Sequence, residues 1–147
     1  MKYQKIKLQM VKEQSIEYTT QISKPIDIVN FINQYEDYSS SPNEKIIVIG
    51  LNIKNRINIY TEIASGPSSF CNCTIADMFK PLLISNSNKF IIAHNHPTGD
   101  SKPSKEDIKV TKKIMDSAKL MGLEFLDHIV IGDNSYSSIM SIIEGGE

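Results

Sequence analysis

An apolar, β-branched run, Lys89-Phe90-Ile91-Ile92-Ala93, feeds directly into His94-Asn95-His96-Pro97, and this junction constrains the chain more than any other stretch. Such a run reads as a strand. Side chains on a strand alternate with period two, so histidines one residue apart at its end point the same way. Pro97, Gly99 and Pro103 then break regular structure and turn the chain back. Ser104-Lys105-Glu106-Asp107 has the form of a helix start, with Ser104 as N-cap and a carboxylate in the first turn. His94, His96 and Asp107 thus supply three metal ligands and leave a fourth position for water. An open position of that kind marks a catalytic zinc, whereas structural zinc is closed by four protein ligands, mostly Cys. Plainer readings exist: His-x-His on an edge strand is commonly a surface or hydrogen-bonded pair, and capping alone explains Ser104 and Asp107. The coincidence favours metal, because two of the three histidines sit one residue apart beside Pro and Gly with an acidic helix start downstream.

The remaining pattern alternates in type. Lys5 to Met10 alternates polar and apolar and predicts a half-exposed strand continuing into Glu17 to Ile22, a strand extension over residues 1–22. Ser23-Lys24-Pro25 opens a helix through Tyr35 with Ile28, Phe31, Ile32 and Tyr35 on one face. Strands at Lys45 to Leu51 and Ile57 to Ile63, joined by a turn at Lys54-Asn55, form a hairpin. A helix from Ile75 to Ser85 precedes the histidine strand. The helix from Ser104 is expected to bury Ile108, Met115, Ala118 and Met121 and to stop at Gly122. Phe125 to Ile131 and Tyr136 to Ser138 are strands around the turn Gly132-Asp133-Asn134. These elements predict a mixed α/β domain, a mostly antiparallel, curved sheet with helices on both sides.

At 147 residues the chain is read as a single domain, residues 1–147, that buries about two-thirds of its extended surface. A net charge of −1 gives no general pull toward nucleic acid. The basic cluster Lys109-Val110-Thr111-Lys112-Lys113 is read as a solvated helix face, so DNA binding is not supported. Cys71 and Cys73 are too close for an unstrained mutual disulfide and are expected to be reduced thiols of a cytoplasmic protein. No apolar run reaches the roughly 20 residues that span a bilayer, and the N-terminus has no signal-like core.

The arrangement His94-x-His96-Pro97, six residues, Ser104, two residues, Asp107 resembles the JAMM motif of MPN/JAB-domain zinc metalloproteases. The surrounding text, from His94 through the Asp127-His128 pair to Asp133, is similar to the RadC-type branch, which favours Asn95 between the histidines. The likeness runs over roughly residues 25 to 138. Two departures stand out: Thr74-Ile75-Ala76-Asp77 replaces the Pro-Arg-Glu that usually opens the preceding helix, and the chain is too short for the helix-hairpin-helix region of longer members.

The resemblance implies an MPN/JAB, cytidine-deaminase-like architecture, one zinc ion per chain and cleavage of a peptide or isopeptide bond in a peptide or protein-conjugate substrate. It implies Glu44, at the start of a strand, as the carboxylate that takes the water's proton and returns it to the leaving amine; Glu62, near the end of the next strand, is the alternative. It also implies that the Ser104 hydroxyl helps hold the oxyanion, a role compatible with capping. Asp127-His128 is read as structural support. Rival readings are a DNA-repair or mobile-element accessory protein, which would need a basic face, and a metal-free MPN-like assembly module, against which the complete ligand set argues. A nucleoside deaminase would need His-x-Glu and Pro-Cys-x-x-Cys, and neither occurs.

Overall fold

The computed structural model describes residues 1–67 and 73–146. Its elements are, in order, α1 (Pro25–Tyr35), β1 (Glu44–Leu51), β2 (Ile57–Gly66), α2 (Ile75–Ile84), β3 (Lys89–Asn95), α3 (Lys105–Met121), β4 (Glu124–Ile131), β5 (Tyr136–Ser138) and α4 (Ile139–Glu144). Among the described residues the strands form one five-stranded sheet in the order β2-β1-β3-β4-β5. β1 pairs antiparallel with β2 and β3, and β4 with β5. β3 and β4 run parallel. Parallel neighbours need a crossover, and α3 supplies it.

Strand parity divides the apolar residues between two cores. Ile47, Ile49, Leu51, Ile91, Ala93, Ile129 and Ile131 pack with Ile28, Phe31 and Ile32 of α1. Ile46, Val48, Phe90 and Ile92 face the other way, onto Met78, Phe79 and Leu82 of α2 and Ile114 and Ala118 of α3. Because both faces are covered, β1 and β3 read as continuous apolar runs instead of alternating ones. Gly50 is required where the chain after α2 crosses β1: a Cβ there would collide with Ser87 Oγ and come within 2.8 Å of Ile59 Cγ1. The β1–β2 turn holds Asn55 at φ 57. Asn52 Oδ1 accepts from the backbone N–H groups of Lys54 and Arg56 across it.

Two sequence expectations need correction. Residues 1–22 form no strand, and Ile6 and Leu8 are each 75% exposed. Alternation alone does not make a strand without a ladder to join. Toward its end the segment is tied down: Ile22 N–H donates to Asn55 O, Gln21 Nε2 to Lys54 O, and Tyr18 stacks edge-on against Phe31. The buried stripe of α3 is Asp107, Thr111, Ile114 and Ala118, with Ile108 and Met115 half-buried and Met121 exposed. Two polar side chains lie inward because hydrogen-bond partners meet them there, which rotates the helix away from its most apolar face. No expectation covers α4, which follows β5 directly and is capped by Ser138 Oγ accepting from Ser141 N–H.

Candidate metal centre

His94 is the penultimate residue of β3, and its position opposite Ile46 sets it on the sheet face that α2 and α3 cover. His96 extends the parallel ladder one step, its N–H donating to Ile131 O. The two imidazoles therefore share a face. The turn that follows places Gly99 at φ 85, its N–H donating to His96 O, and leaves Asp100 O facing His96 Nδ1 at 2.7 Å. A carbonyl only accepts, so His96 carries a hydrogen on Nδ1 and directs Nε2 at the neighbouring side chains.

Asp107 arrives from the start of α3. Asp107 N–H donates to Ser104 Oγ at 3.0 Å, and Ser104 N–H donates to Asp107 Oδ2 at 2.8 Å, a reciprocal capping box that fixes the carboxylate. His94 Nε2 and His96 Nε2 are 3.0 Å apart. Asp107 Oδ2 is 3.0 Å from His96 Nε2, and Oδ1 is 3.4 Å from His94 Nε2. Donor atoms around a tetrahedral zinc with bonds of about 2.0–2.1 Å are separated by about 3.3–3.4 Å. This trio lies close to that triangle, and its donor chemistry, two imidazole nitrogens and one carboxylate, suits an open zinc site.

Electrostatics point the same way. The Asp107 hydrogen bond pushes the His96 pKa up against the opposing effect of burial. Burial would raise the Asp107 carboxyl, but the His94 and His96 imidazoles hold it well below the usual carboxylate range. Both shifts express the pairing of these imidazoles with one carboxylate.

Glu44 opens β1, with the parity of Ile46, and brings Oε1 to 3.9 Å from His94 Nε2. Burial raises its pKa, partly offset by His94. Glu62 goes elsewhere: it pairs with Ile47, on the opposite sheet face from His94, and binds Lys45 Nζ at 3.6 Å. A cavity of about 710 Å³ runs along β2 past Glu62 and shares no residue with the histidine cluster.

Sequence reading assigns Asn95 no task and gives His128 structural support without naming its partners. Asn95, between the two histidines, accepts from Lys45 N–H at 2.7 Å and donates to Asn43 O at 3.1 Å. Its amide thus clamps the residues on either side of Glu44. His128 Nε2 lies 2.7 Å from His94 Nδ1. His128 Nδ1 lies 2.7 Å from Thr111 Oγ1, and Thr111 donates to Asp107 O at 2.6 Å. His128 is fully buried, which drives its pKa well down. Asp127 does not reach the site; it accepts from Ser138 Oγ and Met140 N–H and so ties β4 to α4. The pair read as joint support divides into two separate tasks. No local pattern could have announced these contacts, since Asn95 and Lys45 are 50 residues apart and Thr111 and His128 are 17 apart.

Cys73 is half-buried, with its thiol pushed up to about 11 by burial, and is not among the clustered ligands. Cys71 lies outside the described residues. No helix among the described residues is long and apolar enough to cross a membrane.

A family model described as the RadC-like JAB domain matches residues 22–144. A UPF0758 protein of Methanosarcina mazei is 37% identical over 118 residues, and proteins of the same name from Clostridium botulinum and Desulfitobacterium hafniense are 36% identical over 118 residues. Each alignment covers 80% of this chain and 51% of the relative, so the chain spans about half the length of the curated relatives it matches.

Proposed function

The chain belongs to the RadC-like JAB domain family, and from that premise we propose that it is a zinc-dependent hydrolase of amide bonds, acting on a peptide or an isopeptide-linked conjugate. The observation that carries this reading is the convergence of His94 Nε2, His96 Nε2 and the Asp107 carboxylate, with Glu44 Oε1 3.9 Å from His94 Nε2. Those three residues would hold the ion, which when bound supplies Lewis acidity and a water of lowered pKa.

The protein's own groups carry the proton. Glu44, its pKa raised by burial, takes a proton from the attacking water and returns it to the leaving amine. Ser104 Oγ accepts from Asp107 N–H through a lone pair and keeps its own hydrogen to donate to the scissile carbonyl oxygen as charge develops. Asn95 holds the start of β1 so that Glu44 meets the ligands. Glu62, facing the other side of the sheet, has no part in this scheme.

The test is Glu44→Gln. On a peptide or isopeptide substrate found by screening the wild-type protein with and without chelator, the variant is expected to bind zinc at the wild-type stoichiometry and to turn over at least about a hundredfold more slowly, the loss typical of removing a general base. Undiminished turnover would remove Glu44 from the mechanism.

A further inference from the structure

We propose that Thr111 and His128 are positioning residues that set the tautomer of His94, so that its Nε2 is presented to the cation site as a lone pair. The inference rests on the metal reading above and extends it to side chains that touch no cation.

The argument is a count of hydrogens along four groups. Thr111 Oγ1 has one hydrogen, and at 2.6 Å from Asp107 O it must give it to that carbonyl, which can only accept. Toward His128 Nδ1, 2.7 Å away, the hydroxyl can then act only as acceptor, so Nδ1 bears a hydrogen. A neutral imidazole has one N–H. A second, on Nε2, would put a positive charge on a ring with 0% exposure. His128 Nε2 is therefore an acceptor, and His94 Nδ1, 2.7 Å from it, is the donor. With its hydrogen on Nδ1, His94 turns an Nε2 lone pair toward His96 Nε2 and Asp107.

The reverse order is excluded by its first contact. If Thr111 donated to His128, two oxygen acceptors would face each other at 2.6 Å, and the hydrogen passed along would end on His94 Nε2, inside the site. The chain begins at the backbone carbonyl of Asp107, whose carboxylate is itself a ligand in the cluster. One helical turn of α3 thus supplies both a ligand and the reference that orients another. His96 is set differently, by the backbone carbonyl of Asp100, and no side-chain substitution deletes that acceptor.

The experiment uses the whole chain. Zinc affinity is read by competition with a chromogenic chelator, and imidazole tautomers by ¹⁵N NMR of the zinc-free protein at mildly alkaline pH. In the wild type, His94 and His128 are expected to carry hydrogen on Nδ1. Thr111→Val, close to isosteric but without the hydroxyl, is expected to move His94 toward the Nε2–H form and weaken zinc binding roughly 10- to 100-fold. Thr111→Ser is expected to restore both. His94 protonated on Nε2 in the wild type, or Thr111→Val with wild-type tautomer and affinity, would overturn the proposal. If Thr111→Val does not fold, the wild-type spectrum decides alone. A wild type that takes up no zinc would defeat the metal reading instead, while its tautomer spectrum would still report on the relay.

Discussion

Asp107 serves as capping partner and, in the proposed site, as cation ligand, and substitution can separate the two roles. Asn at this position can still accept from Ser104 N–H, so at a pH where His96 is neutral, zinc-free Asp107→Asn is expected to keep the stability of the cap yet lose most bound zinc with the carboxylate. Asp107→Ala is expected to lose the metal and also about 1 kcal/mol of stability from the broken cap, as read by denaturant titration under chelator. His94→Ala and His96→Ala are expected to strip most zinc as well, because two remaining ligands make a weak site. Full metal content in all of these variants would place the ion elsewhere. A second expectation concerns His96 in zinc-free protein, read as the stability of wild type minus that of His96→Gln against pH. The folded His96 pKa is raised, so its contribution is complete below the ordinary imidazole value of about 6.5 and fades as pH rises through the folded value. Asp107 is depressed when folded, so the partner's share fades as pH falls below about 3.9. The difference should peak between these limits. The buried His128 works in the opposite sense, since the unfolded chain binds its proton more readily, but it is present in both proteins and largely cancels. A difference that grew with pH would contradict the His96–Asp107 pairing.

Several elements follow from local pattern alone. The shared direction of His94 and His96 follows from strand parity, a period-two property that needs no tertiary information. The hairpin, α2, the Gly122 stop, where φ is 72, and the two late strands follow from equally local punctuation. The buried stripe of α3 did not, because Asp107 and Thr111 lie inward through contacts with β3 and β4 that an apolarity pattern counts as outward. Residues 1–22 are the complementary case: the alternating pattern is present, and among the described residues no strand pairs with it. The place of Glu44 was legible only through the family resemblance, while the Asn95 clamp that holds it is long-range and was invisible. Gly50 gives an element-scale test far from the chemistry. Gly50→Ala is expected to cost about 1–3 kcal/mol by overpacking against Ser87 and Ile59, with zinc stoichiometry unchanged. A neutral substitution would mean that the chain after α2 moves freely away from β1.

The whole molecule has apolar cores on both faces of its sheet, and neither is built around the histidine cluster. That distribution decides what metal removal should do. In a small zinc domain the metal replaces a core, and chelation unfolds the chain. Here α1 packs against one sheet face and α2 and α3 against the other through residues such as Ile49, Ile129, Met78 and Ile114, none of which belongs to the candidate ligand cluster. The zinc-free protein is therefore expected to keep its far-UV circular dichroism and a cooperative melt. Zinc binding only the folded state should add about 4 kcal/mol at a free concentration a thousandfold above Kd. For a domain of this size that is a rise in Tm on the order of 10 °C. The same measurement checks the thiols: a Cys71→Ser, Cys73→Ser double variant should show the same zinc-dependent shift, because the cluster of His94, His96 and Asp107 uses no thiolate. Unfolding on chelation would make the ion structural and leave Glu44 without a reaction to serve, whereas a lost shift in the double variant would move the ion to the cysteines.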